Sequence, residues 1–186
     1  MTRVFSLLFL ALFSTFASAQ DWQVDYSQSR LALTASVYDA PFVAEFAEFE
    51  ADIRFDPDNL EAAQVIARIA PASMNPASPG DSLYVGEAQG ADWFSSSNHP
   101  EAVFMSESFT HLGGTRYEVS GTLQIKEEVS ALSFPFELEI VDGFAQMQAR
   151  FTVNRMDLGL GRLTHPTEST VKAEVALDLS LAATQL

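Results

Sequence analysis

The chain has 186 residues, 25 acidic against 10 basic side chains, a formal charge of −15 and no cysteine. That length suits one domain. The charge excludes a surface built for nucleic acid or anionic lipid headgroups. The missing cysteine excludes disulfide staples, thiol chemistry and a lipid-modified N-terminal Cys, so the fold must rest on its core alone, which a chain of this length can supply.

The first residues, MTRVFSLLFLALFSTFASAQ, read as an export leader. Arg3 gives the positive start and Val4 to Phe16 the apolar run. Ala17-Ser18-Ala19 gives the small-residue site, with the cut before Gln20. The expected domain is therefore 20–186, released into the periplasm. Leu31, Leu33, Ala35 and Val37 then alternate in RLALTASV, as on one face of a strand.

FVAEFAEFEADIRF, from Phe42 to Phe55, is ambiguous. Phe42, Phe46 and Phe49 have helical spacing, whereas Phe49, Ala51, Ile53 and Phe55 alternate; Ala and Glu favour helix. DPDN at 56–59 is a turn with proline at its second position, and Val65, Ala67 and Ile69 follow it. From Pro71 to Pro100 the chain is rich in Pro, Ser, Gly and Asn and shows no sustained period. It reads as one long crossover loop with room for a short helix in DSLYVGEAQGADWF.

HLGGT at 111–115 is a hairpin signal between AVFMSESF and YEVSGTLQIK. Val119, Gly121, Leu123 and Ile125 alternate, as do Leu132, Phe134, Phe136, Leu138 and Ile140. Asp142-Gly143 then turns the chain into Ala145, Met147, Ala149, Phe151 and Val153. The last strand carries Val171, Ala173, Val175, Leu177, Leu179 and Leu181. Roughly eight antiparallel strands result; strands with one apolar face form a sandwich or a closed barrel, and two edges stay exposed unless the sheet closes.

Of 15 phenylalanines, four fall in the leader, and most of the rest sit at inward strand positions among alanines. Two packings fit: large and small side chains interdigitate to fill the interior, or they leave a greasy slot. There is no Gly-x-Ser-x-Gly, His-Glu-x-x-His or P-loop, and His99, His111 and His165 each border a turn without paired ligand spacing. The expectation is a protein that performs no catalysis and binds no metal.

Several stretches together are similar to the YceI-like family of polyisoprenoid-binding proteins with a lipocalin-like barrel. These are WQVDYSQSRLALTASV, FAEFEADIRFDPDNLEAAQVIARI, GADWFSSSNHPEAVFMS, YEVSGTLQIK, LSFPFELEI and NRMDLGLG, in family order over residues 22–181. The resemblance implies an all-β, eight-stranded antiparallel lipocalin-like barrel. It implies a strand at 42–55 whose face is kept by a bulge with one extra residue. It also implies an apolar cavity holding an isoprenoid quinone or polyprenyl chain, with no cofactor besides that lipid. The expected lining is Leu33, Phe42, Phe46, Phe49, Phe55, Phe104, Leu123, Phe134, Phe136, Met147 and Phe151, with 71–100 as a lid.

Arg155 and Asp157, two apart on one strand face, either receive a polar head or pair with each other across a barrel end. The acidic excess favours a neutral head such as a quinone. Relatives beside or fused to b-type cytochromes imply, by analogy, such a membrane partner. Three family polar stretches are absent here: Gln28-Ser29, Tyr84-Val85 and KEEVSA at 126–131 stand in their places. The competing expectation is a solid-cored stress or interaction module without a ligand.

Overall fold

The computed structural model describes residues 19–186. The leader expected at 1–19 thus lies, except for Ala19, outside the described residues. Among the described residues no helix is long and apolar enough to cross a membrane.

Eleven strands form one antiparallel sheet. They are β1 (Asp21–Val24), β2 (Arg30–Val37), β3 (Ala40–Phe46), β4 (Phe49–Arg54), β5 (Gln64–Ile69), β6 (Met74–Pro76), β7 (Ala102–Gly113), β8 (Arg116–Ile125), β9 (Glu128–Val141), β10 (Phe144–Asn154) and β11 (Val171–Gln185). Eight of them close a ring in the order β1-β4-β5-β7-β8-β9-β10-β11, and β1 pairs back onto β11. The other three extend one side of the wall: β2 follows β1 along β11, β3 pairs with β2, and β6 pairs with β3. The result is an eight-stranded barrel in which β1/β2, β3/β4 and β5/β6 are three bent staves.

The ambiguous stretch 42–55 is two strands. Phe42, Ala44 and Phe46 point inward from β3 and are buried, and Phe49, Ala51, Ile53 and Phe55 point inward from β4 and its end. An inward-to-inward step of three residues cannot hold in a regular strand, whose side chains alternate strictly. The break at Ala47-Glu48 absorbs the odd residue. Ser73 pins it: the Ala47 N–H donates to the Ser73 carbonyl at 3.2 Å and the Glu48 N–H to Ser73 Oγ at 2.9 Å.

The turns follow their chemistry. Asp142 and Gly143 both take positive φ, 51° and 77°, as a two-residue hairpin of right-handed twist requires. The β2–β3 turn does the same with Tyr38 and Asp39, at 51° and 60°.

The segment between β5 and β7 joins neighbouring strands, since Ile69 pairs with Ala102. It first adds β6 to the wall and then passes over the barrel end as helix α1 (Ser82–Ala88) and the turns at 90–98. Val85 of α1 packs on Phe42, Phe46 and Met74, while Trp93 and Phe94 pack on Ala102, Ile125, Leu158 and Leu160. This segment and the 155–170 loop roof one end.

The opposite end is filled. Phe55, Phe109, Tyr117 and Phe136 meet with ring centroids 5.4–6.4 Å apart, mostly edge to face, a favoured arrangement of aromatic quadrupoles. Trp22 closes the floor, its indole N–H donating to the Phe55 carbonyl at 2.9 Å.

Candidate functional site: a roofed apolar cavity

Between floor and roof the barrel is hollow, with a cavity of about 370 Å³. For scale, a dry apolar cavity of ~150 Å³ already admits benzene. The inward residues of every long strand face it: Leu31, Leu33, Ala35 and Val37 from β2, Leu132 to Ile140 at alternate positions from β9, and Met147, Phe151 and Val153 from β10. All eleven residues expected to line a cavity do line this one: Leu33, Phe42, Phe46, Phe49, Phe55, Phe104, Leu123, Phe134, Phe136, Met147 and Phe151. Phe55 and Phe136 also belong to the floor cluster. Ala35, Ala51 and Ala67 lie on the same inner surface and leave space that larger side chains would fill. The interior is therefore not solid.

Phe134 and Phe151 stack face to face across β9 and β10, with centroids 4.0 Å apart and planes 8° from parallel. The β9–β10 ladder runs from Phe144↔Val141 to Gln148↔Glu137. Above it stands Pro135, which has no N–H to give a ladder. In this part of the wall the two rings, not main-chain bonds, carry the contact on the cavity side.

Apart from the Trp22 indole at the floor, whose N–H is taken by the Phe55 carbonyl, polar groups on the lining belong to the roofed end: Tyr38, Tyr84, Glu87, Trp93, Arg155, His165 and Thr170. Two latches hold the roof halves together. The Asp92 carboxylate accepts the N–H of Leu163 at 3.1 Å, the N–H of Thr164 at 2.7 Å and the Thr164 hydroxyl at 2.7 Å. Partial burial works against this charge, but those donors and Lys126 outweigh it and hold the carboxyl below its ordinary value. The second latch is Glu87 Oε1 at 2.7 Å from His165 Nε2.

Arg155 is 1% exposed. Its Nε donates to the Lys172 carbonyl, Nη1 to those of Leu160 and Gly161, and Nη2 to those of His165, Thr167 and Val171, at 2.8–3.4 Å. Its guanidinium carbon lies 5.4 Å from the Trp93 ring centroid. Burial lowers its pKa, partly countered by Glu168 and Asp92.

The expectation for Arg155 and Asp157 needs correction. A guanidinium has five N–H groups, and here the surrounding carbonyls occupy them, so none remains for a head group. Asp157 is not among its partners either: the Asp157 N–H donates to the Asn154 carbonyl, and the Asp157 carbonyl accepts from Ser130 Oγ. Arg155 organises the 155–171 loop by its main chain. Gly161 completes that packing. It sits at φ 67°, and a Cβ there would come within 2.6 Å of the Trp93 ring.

The remaining cations do not gather into an anion site. Arg68 pairs with Asp52, Arg150 with Asp178 and Lys172 with Asp39. The histidines also stay apart. His99 faces Glu127, His165 faces Glu87, and His111 contacts the Gly114 carbonyl at the opposite end. Sequence reasoning missed Tyr38, Tyr84, Leu158 and Leu160 as lining, because each lies in a turn, a short helix or a loop without period. Tyr84 meets Phe42 edge to face at 5.8 Å and Val85 is buried, so the residues standing at the family's Arg-Asp position are part of the apolar roof.

A closed antiparallel barrel with a roofed, apolar interior is the architecture of a small-molecule-binding barrel rather than of a filled structural one. The chain belongs to the YceI-like domain family, whose model matches residues 22–183. Among solved structures it is similar to Burkholderia cenocepacia BcnA, at 26% identity and TM-score 0.80 over 87% of this chain and 100% of that one. It shares its fold with a Campylobacter jejuni YceI protein, at 18% identity and TM-score 0.66 over 77% and 84% of the chains. It also shares it with a polyisoprenoid-binding domain from Saccharophagus degradans implicated in plant cell wall breakdown, at 13% identity and TM-score 0.69 over 90% and 99%. No curated protein matches the chain.

Proposed function

We propose that the protein binds and carries an isoprenoid lipid, with the apolar tail enclosed by the barrel and no chemistry performed on it. The observation that carries this reading is the continuous apolar lining, whose polar side chains other than the internally bonded Trp22 gather at the roof. Burying several hundred Å² of tail gains roughly 10 kcal/mol before ordering costs, enough for affinity without a strong polar anchor. The Saccharophagus polyisoprenoid-binding domain of the same fold supports the class of ligand.

The finer reading is an isoprenoid quinone. A neutral head suits a roof whose cations are each already engaged and a chain of formal charge −15. The sequence at 1–20 supports export to the periplasm with a cut before Gln20. A membrane b-type cytochrome is the partner that family analogy offers for a quinone carrier.

The test is gentle purification followed by intact-mass analysis and lipid extraction. A co-purifying prenyl lipid is the expected result. Phe134→Glu places a charge against Phe151 and Phe104 and should abolish uptake. A folded Phe134→Glu protein that takes up the lipid as well as wild type would overturn the reading.

A further inference from the structure

Among the described residues one buried side-chain nitrogen has no hydrogen-bond acceptor, Nε1 of Trp93. The ring it belongs to is partly buried and lines the cavity at the roofed end. A buried N–H without a partner costs free energy, and buried tryptophans ordinarily find one. Trp22 shows the ordinary case at the floor, where the Phe55 carbonyl accepts its indole N–H. Packing explains the Trp93 ring but not its nitrogen, because a phenylalanine would meet Leu158 and Leu160 with no donor to satisfy.

The surroundings hold this ring in place. The Trp93 main-chain N–H donates to the Gly90 carbonyl at 3.0 Å, and the Asp92 carbonyl beside it accepts from the Gly161 N–H at 2.9 Å. Gly161 stands against the ring without room for a Cβ. Arg155, over the ring, carries donors only. None of the ion pairs among the described residues includes Arg155, so its buried charge favours an electron-rich oxygen beside the indole.

We propose that the Trp93 indole N–H is the donor for the ligand's head group, and that it selects a neutral head with a carbonyl oxygen over a bare hydrocarbon. This rests on the carrier function proposed above and adds the residue that reads the head. The tail supplies affinity through burial. The single bond at Trp93 supplies discrimination, because an oxygen-free ligand leaves the donor unpartnered. A full anion would leave water for one free donor, which does not offset its desolvation.

The experiment compares two probes on the delipidated protein: geranylbenzoquinone, and geranylbenzene, which keeps tail and ring but has no oxygen. Wild type should bind the quinone more tightly. Trp93→Phe should weaken quinone binding by a few-fold to about tenfold and leave geranylbenzene binding within about twofold, which also shows that the variant is folded. The chain has two tryptophans, so its nitrogen-15 spectrum holds two indole N–H signals. The Trp93 proton should move downfield with the quinone and not with geranylbenzene, while Trp22, already bonded to Phe55, stays still. Should Trp93→Phe weaken both probes, the loss is one of shape and the wild-type Trp93 signal decides: a downfield move supports the assignment and a still signal overturns it. A Trp93 proton that is already as far downfield as that of Trp22 without ligand means a bound water only and overturns it as well. Equal wild-type affinity for the two probes leaves the carrier function standing and removes the head-group site. If neither probe binds, both fall together.

Discussion

At the floor of the barrel, Phe55, Phe109, Tyr117 and Phe136 mesh ring against ring over Trp22. At the roof, Asp92, Glu87 and Arg155 tie loops together by hydrogen bonds. Both ends close the same cavity, but by different physics. Packed apolar surface is non-directional and is lost only when it is pulled into water. Hydrogen bonds near solvent exchange with water at a modest net cost. The floor is therefore closed mainly by packed rings, whereas the roof combines packed Val85, Phe94, Leu158 and Leu160 with the buried Arg155 network and with two solvent-side latches at Asp92 and Glu87. Separating the floor would break its ring cluster, whereas parting the Asp92 and Glu87 latches breaks only bonds that water replaces.

The contrast can be broken most severely at the floor. Phe55→Ala leaves a hole beneath three aromatic partners and should cost about 3–5 kcal/mol, read as a fall in the urea midpoint. Arg155→Ala comes next. It strips a buried set of carbonyls of their donor and should cost about 2–4 kcal/mol, with a flattened near-UV circular dichroism signal from Trp93. A cost below that of an ordinary surface substitution would show that the 155–171 loop does not depend on Arg155.

Asp92→Asn should cost about 1–2 kcal/mol and sharpens the roof side of the comparison through pH. The folded carboxyl titrates below its ordinary value of 3.8, so its contribution is complete above that value and is lost as pH falls through the lower folded one. The difference between wild type and Asp92→Asn should therefore be constant at neutral pH and shrink below about pH 4. Smallest is Glu87→Gln, which weakens a half-exposed contact to His165 and should change stability by less than about 1 kcal/mol. Its effect should appear in the rate of lipid uptake, measured by stopped-flow fluorescence, rather than in the unfolding midpoint.

What the sequence alone determined is the set of inward faces. Alternation along β8, β9, β10 and β11 names Leu123, Phe134, Phe136, Met147 and Phe151 as lining, because a strand leaves each side chain one of only two directions. Local chemistry also marked the turns at Asp142-Gly143 and the HLGGT hairpin. At 42–55 the residues alone left helix and strand open, and only the resemblance favoured strand. Whether Phe and Ala on those faces would fill the interior or leave it hollow was also beyond the residues, since that depends on the barrel's girth and on which strands meet across it. The tertiary structure decided that, and it decided the fate of Arg155. Two residues on one strand face look like a pair, yet the loop at 155–171 folds back so that carbonyls remote in sequence converge on the guanidinium and Asp157 turns elsewhere. The roof was hidden for the same reason: α1 and the 155–170 loop have no period of their own, and their residues acquire an inner side only when the barrel end lies beneath them.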